Sequence, residues 1–214
     1  MSQPLDKAEV LFRQRLLKCC GYYQGKLDSD WGPKTEAAET AFQSAAAALI
    51  SEFGEFDPRT EGNIRSLHIK AQRAARQFMA AVASGPHVIK ILSGTRTYAE
   101  QDKLYAKGRG LFSSEKKVTN ARGGESNHNF GVAWDIGIFE NGGRYMTGDK
   151  PQDGPAYAAI GKIVKDNLTL SPILEWGGIW KTLPDAPHYQ LRTAVTGKAI
   201  RNLFEAGTPY HLEV

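Results

Sequence analysis

The chain has 214 residues, of which 41% are hydrophobic and 23% charged, with a net charge of +4. These proportions are typical of a soluble globular protein and exclude a disordered or fibrous chain. No apolar run approaches the ~20 residues of a membrane-spanning helix, and the N-terminus lacks the apolar segment of a secretory signal. Residues 1–65 hold 8 Lys/Arg and 10 Asp/Glu, net −2, whereas residues 66–214 hold 19 and 13, net +6. The basic part suits an anionic polymer. Without a basic stripe interleaved with aromatic residues, we expect no nucleic-acid partner.

The first predicted elements are two helices. Residues 6–20 carry apolar side chains at helical spacing, with Asp6 as N-cap and Glu9 three residues later, as in a capping box. An alanine-rich helix over residues 34–50 follows a turn-rich connector.

The connector carries a recognisable pattern. It reads Gly21-Tyr22-Tyr23-x-Gly25-x-Leu27-Asp28-x2-Trp31-Gly32-Pro33-x-Thr35. This pattern resembles the small three-helix peptidoglycan-binding module of many wall hydrolases. Residues 55–61 repeat the turn of residues 30–36, which matches an internal half-repeat known in that module. The resemblance implies that residues 1–63 form a helical peptidoglycan-binding module; the alternative is a helical hairpin that only packs on the rest of the chain.

We place the boundary of this unit in the turn-rich segment 54–63, so that residues 64–214 form the second domain. Residues 64–83 have apolar side chains at helical spacing, which predicts one long amphipathic helix. His68 lies within it without a second ligand three or four residues away, and we interpret it as structural. Residues 88–92 predict a buried strand whose C-terminal end delivers Arg96 to the edge of a pocket.

Candidate metal ligands follow. His128 and Asp135 are seven residues apart, and Gly131 offers the backbone freedom for a turn before the short strand 132–136. A second imidazole, His188, lies far downstream. Two imidazoles and one carboxylate make a three-ligand zinc site with the fourth position open for water. From the residues alone, an ordinary hydrogen-bonded His–Asp pair remains an alternative.

Three motifs occur in the order found in the peptidoglycan zinc peptidases. They are Ser93-Gly94-x-Arg96-Thr97-x3-Gln101, Ser126-x-His128-x2-Gly131-x-Ala133-x-Asp135 and Asp185-x-Pro187-His188. The chain from about residue 66 to about 190 therefore resembles that family, which includes D-Ala-D-Ala carboxypeptidases and dipeptidases and phage L-alanyl-D-glutamate endopeptidases. The resemblance implies an α+β fold with a small antiparallel sheet and flanking helices. It also implies one Zn²⁺ per chain on His128, Asp135 and His188.

The resemblance also suggests roles for three further residues. Asp185 corresponds to the catalytic base; the alternative is that it caps a turn before the proline at 187. Arg96 is expected to hold a substrate carboxylate or to stabilise the developing oxyanion, with a surface salt bridge as the alternative. Ser126 is expected to orient His128 or to bind substrate.

One position departs from the family pattern. The segment Glu175-Trp-Gly-Gly-Ile179-Trp resembles the endopeptidases' Glu-Trp-Gly-Gly-Asp-Trp, with Ile179 where that pattern has Asp. We assign no role to Ile179.

The sequence thus predicts a monomeric, zinc-dependent endopeptidase that hydrolyses the peptide stem of bacterial peptidoglycan, most like the L-alanyl-D-glutamate enzymes. Without a signal peptide or membrane insertion, we expect a phage endolysin that is made in the host cytoplasm and acts on the wall after membrane permeabilisation. One alternative is a D-Ala-D-Ala carboxypeptidase on the same fold. Another is a non-catalytic zinc-containing wall-binding protein, against which the acid at position 185 argues.

Overall fold

A computed structural model describes residues 5–110, 114, 116–147 and 150–212. The first four residues of the expected unit 1–63 and the last two of the expected unit 64–214 lie outside the described residues. Within the described ranges the helices are α1 Lys7–Cys19, α2 Pro33–Phe53, α3 Pro58–Ser66, α4 Ile69–Val82, α5 Tyr98–Ala106, α6 Gly154–Asp166 and α7 Lys198–Ala206. The strands are β1 Val88–Ser93, β2 Ala133–Phe139, β3 Tyr145–Met146, β4 Leu174–Trp176 and β5 His188–Leu191. No helix in the described ranges has both the length and the apolar character needed to cross a membrane.

The strands form one antiparallel sheet of order β1-β2-β5-β4, with β3 paired to β2. Asp135 of β2 lies opposite His188 of β5, and Gln190 of β5 lies opposite Glu175 of β4. Cross-strand partners share a face, and side chains two apart on a strand also share one. These four polar side chains therefore occupy one face of the sheet, and the expected α+β fold with a small antiparallel sheet is confirmed.

The opposite face of the sheet belongs to the hydrophobic core. Trp134 and Tyr189, which alternate with the polar residues, are fully buried. Their rings lie 6.2 and 4.7 Å from the ring of Phe78 in α4. Because truncating such a buried aromatic side chain costs about 3–5 kcal/mol, this contact holds the sheet firmly on α4.

The first helix belongs to the same core. The capping box at its start is confirmed, since Asp6 accepts from the Glu9 amide and Glu9 accepts from the Asp6 amide. Leu16 of α1 is 1% exposed and joins the core cluster that contains the sheet residues. Phe12 packs on Phe204 of α7 with 5.2 Å between ring centroids.

The prediction of one helix over residues 64–83 is wrong, because α3 ends at Ser66 and α4 begins at Ile69. At the break, the His68 amide donates to the Gly131 carbonyl at 2.9 Å instead of continuing the helix. The His68 ring then caps α4 by accepting from the Lys70 amide at 3.3 Å. Gly131 has φ +70°, and a Cβ there would lie 2.8 Å from the His68 nitrogen, so this contact requires glycine.

The turn-rich segment 54–63 also differs from expectation, because α3 begins inside it at Pro58. The expected boundary between residues 63 and 64 therefore falls within α3. Thr60 of this helix accepts a hydrogen bond from the amide of Ile91 in β1 at 3.1 Å. The N-terminal unit thus shares a helix and a core with the rest of the chain.

Candidate metal centre

His128 lies on the 3-10 turn Asn127–Phe130, immediately before β2. Ser126 begins this turn, and its hydroxyl accepts from the His128 amide at 3.4 Å. The turn predicted at Gly131 is present, and this glycine ends it in the left-handed conformation. The reversal brings the imidazole back over the strand that carries Asp135.

Three donor atoms converge on one point. His128 Nε2 lies 3.1 Å from Asp135 Oδ1 and 3.3 Å from His188 Nδ1. His188 Nδ1 lies 3.1 Å from the same carboxylate oxygen. In the described part of the chain, this is the only group of three or more His, Cys, Asp or Glu residues with ligand atoms all within 4.8 Å of one another. The three residues expected to bind metal are therefore adjacent in space.

The other nitrogen of each imidazole has a fixed partner. His128 Nδ1 lies 2.7 Å from the carbonyl oxygen of Gly94, and His188 Nε2 lies 3.0 Å from Oε1 of Gln190. Because both oxygens accept, each of these nitrogens carries the hydrogen, and the lone pairs of the other two nitrogens point at Asp135. A cation between two such lone pairs and a carboxylate would stabilise this arrangement. This donor set fits a metal ion of the kind that imidazole and carboxylate bind.

The electrostatics prepare two of the three donors, His128 and Asp135, for a metal. Burial lowers the pKa of His128, which keeps this imidazole neutral. Burial opposes ionisation of Asp135, but the charge and hydrogen bonds of His128 and His188 outweigh it and hold the Asp135 pKa well below its usual range. Burial likewise opposes the charge on His188, yet the hydrogen bond that its ring donates to Asp135 and the charge of that carboxylate raise the His188 pKa. A neutral His128 and an ionised Asp135 are the protonation states that metal binding needs, whereas the proton that Asp135 favours on His188 has to leave when a metal binds.

Arg96 holds the outer oxygen of the carboxylate. Its Nη2 donates to Asp135 Oδ2 at 2.8 Å, and its Nη1 donates to the buried Gln101 at 3.0 Å. Arg96 and Asp135 thus form a salt bridge, and with side chains 17% and 26% exposed it is partly buried and not on the open surface. Asp135 consequently presents Oδ1 to the two histidines while Oδ2 faces the guanidinium.

Asp185 lies in the exposed loop before β5. Its backbone amide donates to Gly177 at 2.9 Å, and its carbonyl accepts from the His188 amide at 3.2 Å. No hydrogen bond to its carboxylate occurs among the residues that the structure describes, so the side chain caps no turn there. Surrounding protein atoms desolvate this carboxylate, and together with the charge of Asp135 they raise its pKa. The acid therefore stands close to Asp135 and the two histidines with a carboxylate that has no hydrogen-bond partner in the described chain.

Sequence reasoning missed the polar side chains behind His188. The amide of Gln190 contacts the far side of the His188 ring, and Asn127 and Glu175 form hydrogen bonds with that amide. The Trp180 ring packs on the His188 ring with centroids 5.0 Å apart. Gln190 is two residues from His188 on the predicted final strand, and that spacing was the available signal. Ile179 is 67% exposed.

Known proteins resemble this chain in the same region. A family described as D-alanyl-D-alanine carboxypeptidase matches residues 119–191, which include all three donors and Asp185. The peptidoglycan L-alanyl-D-glutamate endopeptidase CwlK of Bacillus subtilis (strain 168) is 36% identical over 129 residues, covering 58% of this chain and 73% of that protein. The crystal structure of the L-Ala D-Glu endopeptidase ChiX of Serratia marcescens matches with 28% identity and a TM-score of 0.45, covering 66% of this chain and 92% of that one. Through its similarity to CwlK over most of that protein's length, the chain belongs to the peptidoglycan metallopeptidase family.

Proposed function

We propose that the chain is a zinc-dependent endopeptidase that hydrolyses the peptide stem of bacterial peptidoglycan at the L-alanyl-D-glutamate bond. The observation that carries this proposal is the convergence of His128, Asp135 and His188 beside the free carboxylate of Asp185. The printed activity of CwlK supports the choice of bond. A basic catalytic region also favours an anionic substrate.

Zinc is the metal that this donor set suits best. Two imidazoles and one carboxylate leave the fourth tetrahedral position open, which is the composition of catalytic zinc sites. When bound there, the ion would polarise the scissile carbonyl and lower the pKa of a water towards about 7. His128, Asp135 and His188 would hold it, one ion per chain.

Asp185 is the proposed general base. Its raised pKa and its lack of hydrogen-bond partners within the described chain let the carboxylate accept the proton of the attacking water. The same carboxyl group then delivers that proton to the leaving amine. An acid already engaged in a hydrogen-bond network would perform this exchange less readily.

Arg96 and Ser126 act around this centre. We propose that the Arg96 guanidinium, besides holding Asp135, stabilises negative charge that develops on the substrate. Ser126 orients His128 through the turn that it caps. We also propose that Arg96 and Ser126 each contact the substrate directly.

A second candidate function is D-Ala-D-Ala carboxypeptidase activity, which the description of the matching family favours. Digestion of defined stem peptides followed by mass spectrometry separates the two. The endopeptidase releases a peptide with N-terminal D-glutamate and leaves L-alanine behind. Release of a single terminal D-alanine, with the L-alanyl-D-glutamate bond intact, would contradict the proposal.

We further propose that residues 1–63 bind peptidoglycan and residues 64–214 carry the peptidase. Trp31, 39% exposed beside α2, offers an aromatic surface for such a ligand. With turnover removed by Asp185→Asn, the added change Trp31→Ala should weaken binding to purified sacculi. Leu168→Ala, at a side chain that is 92% exposed on the peptidase side, is the matched control and should leave binding unchanged. Equal binding by all three proteins would contradict a wall-binding role for this surface.

A wall-binding unit joined to a peptidoglycan peptidase suits an endolysin acting as a monomer, and we propose that role. Expression together with a membrane-permeabilising protein should lyse a susceptible host, whereas expression without it should not. Lysis that does not depend on permeabilisation, or its absence in both cases, would argue against it.

A further inference from the structure

We propose that Gln190 is a positioning residue that holds His188 in its metal-binding tautomer, and that Glu175 fixes the orientation of the Gln190 amide. The inference rests on the metal site of the proposed function, but not on the identity of the substrate.

The sheet register builds this arrangement. His188 and Gln190 project from the same face of β5, and Glu175 lies directly across from Gln190 on β4. Gln190 is 9% exposed and His188 is 6% exposed, so water competes little for these groups. The amide is therefore the partner of the ring on the side away from the metal ligands.

The amide orientation follows from its three neighbours. Gln190 Oε1 lies 3.0 Å from His188 Nε2 and accepts from Asn127 Nδ2 at 2.7 Å. Gln190 Nε2 donates to Glu175 Oε2 at 3.1 Å, and the other Glu175 oxygen accepts from the indole N–H of Trp180. A reversed amide would turn its oxygen towards the Glu175 carboxylate and its N–H₂ towards the donor of Asn127. Because a carboxylate only accepts, Glu175 places the N–H₂ of Gln190 on its own side, and this directs the Gln190 Oε1 towards His188.

The tautomer matters because His188 has a competing bond on its other side. Its Nδ1 lies 3.1 Å from Asp135 Oδ1. A hydrogen on Nδ1 would bond that carboxylate and remove one of the three metal donors. Gln190 opposes this state by accepting the hydrogen at Nε2, which leaves the Nδ1 lone pair free.

Nitrogen-15 NMR of the metal-free protein at alkaline pH, where the imidazole is neutral, reads the tautomer directly. We expect the Nε2–H form of His188 in the wild type and a shift towards the Nδ1–H form in Gln190→Leu. Affinity for zinc alone, measured by chelator competition, should fall by about 10- to 100-fold in the same variant, as for other losses of groups that orient a ligand. Gln72→Leu, the same exchange at a fully buried glutamine away from the site, should change neither quantity.

A rescue separates positioning from mere packing. The double exchange Gln190→Glu with Glu175→Gln keeps an acceptor opposite His188 Nε2. It also moves the amide donor of the pair from position 190 on β5 to position 175 on β4. It should restore the Nε2–H form and zinc affinity. If Gln190→Leu does not fold, Gln190→Asn, which withdraws the oxygen by one methylene, should show the same tautomer shift. An unchanged Nε2–H tautomer with zinc affinity within about threefold of wild type in a folded variant would overturn the inference, whatever bond the enzyme cleaves.

Discussion

At the level of single residues, Asp185 differs from the other acids near the site because its carboxylate has no hydrogen-bond partner in the described chain. The exchange Asp185→Asn keeps the shape of the side chain but cannot accept the proton of water. Turnover should fall by about 10²- to 10⁴-fold, the usual contribution of a general base. Zinc content should stay near that of the wild type, because Asp185 is not among the converging donors.

Metal analysis and a turnover assay on one preparation separate the possible roles of this acid. Asp166→Asn, at an exposed acid near the end of α6, is the control and should leave both quantities unchanged. Loss of zinc together with activity would make Asp185 a fourth ligand. Near-normal turnover by Asp185→Asn would refute the mechanism and direct attention to Glu175.

A second prediction at this scale concerns His68, whose ring is 4% exposed between α1 and α4. Burial lowers its pKa to about 4, against 6.5 for an ordinary histidine. Between pH 4 and pH 6.5 the unfolded chain therefore binds more protons than the folded chain. The stability that the neutral His68 ring contributes is complete above pH 6.5 and is lost as the pH falls towards 4. The free energy of unfolding should drop by roughly 3 kcal/mol over that range through this group alone.

Urea unfolding at several pH values tests this dependence on His68→Asn, since asparagine still caps a helix but does not titrate. The difference in the free energy of unfolding between wild type and variant should narrow, or change sign, as the pH falls. Parallel stability curves for the two proteins would show that His68 is not the titrating group.

At the level of elements, a buried ion pair joins α3 to α4. Arg76 is fully buried and donates to both oxygens of Glu61 at 2.9 and 2.7 Å. Removing one partner leaves a buried charge, so Glu61→Ala should destabilise the fold by about 3–5 kcal/mol. An exposed ion pair joins α4 to α2, between Arg73 and Glu52, whose side chains are 45% and 48% exposed. Glu52→Ala should cost less than about 1 kcal/mol, and equal losses for both variants would contradict this ranking.

How far the sequence predicted these elements depends on whether local or long-range contacts determine them. The capping box of Asp6 and Glu9 is local, and the first helix was predicted to within a residue at each end. The break at His68 depends on a hydrogen bond to Gly131, 63 positions further along, and no local pattern reveals it. Tertiary contacts of this kind override helical periodicity.

The same distinction applies to the candidate site. His128, Asp135 and His188 belong to short motifs, and the structure brings them together as expected. The Glu175–Gln190 pair arises from the register of β4 and β5, and the bond from Arg96 to Asp135 joins the segment after β1 to β2. A register is set by the packing of whole strands, so these partners emerged only with the fold.

At the level of the whole molecule, the shared core makes the proposed units structurally dependent on each other. Removing residues 1–63 would expose the core that Leu16 and Phe12 cover and would leave Arg76 without Glu61. We expect one cooperative thermal transition for the full chain and no cooperative transition for the chain that begins at Ile64. Calorimetry of both proteins tests this dependence. A truncated protein that unfolds cooperatively would show that the peptidase region folds alone.

The binding of zinc by two histidines and one aspartate tests the account most directly. The purified chain should bind about one zinc ion, and His128→Ala or His188→Ala should lose most of it, because these imidazoles supply both nitrogen donors. His211→Ala, at an exposed histidine near the C-terminus, should keep the full complement. Metal analysis by mass spectrometry on the wild type, the three single variants and the double variant His128→Ala with His188→Ala gives the answer in one experiment. A protein that stays fully metallated with both His128 and His188 replaced would contradict the site, and with it the proposed peptidase mechanism.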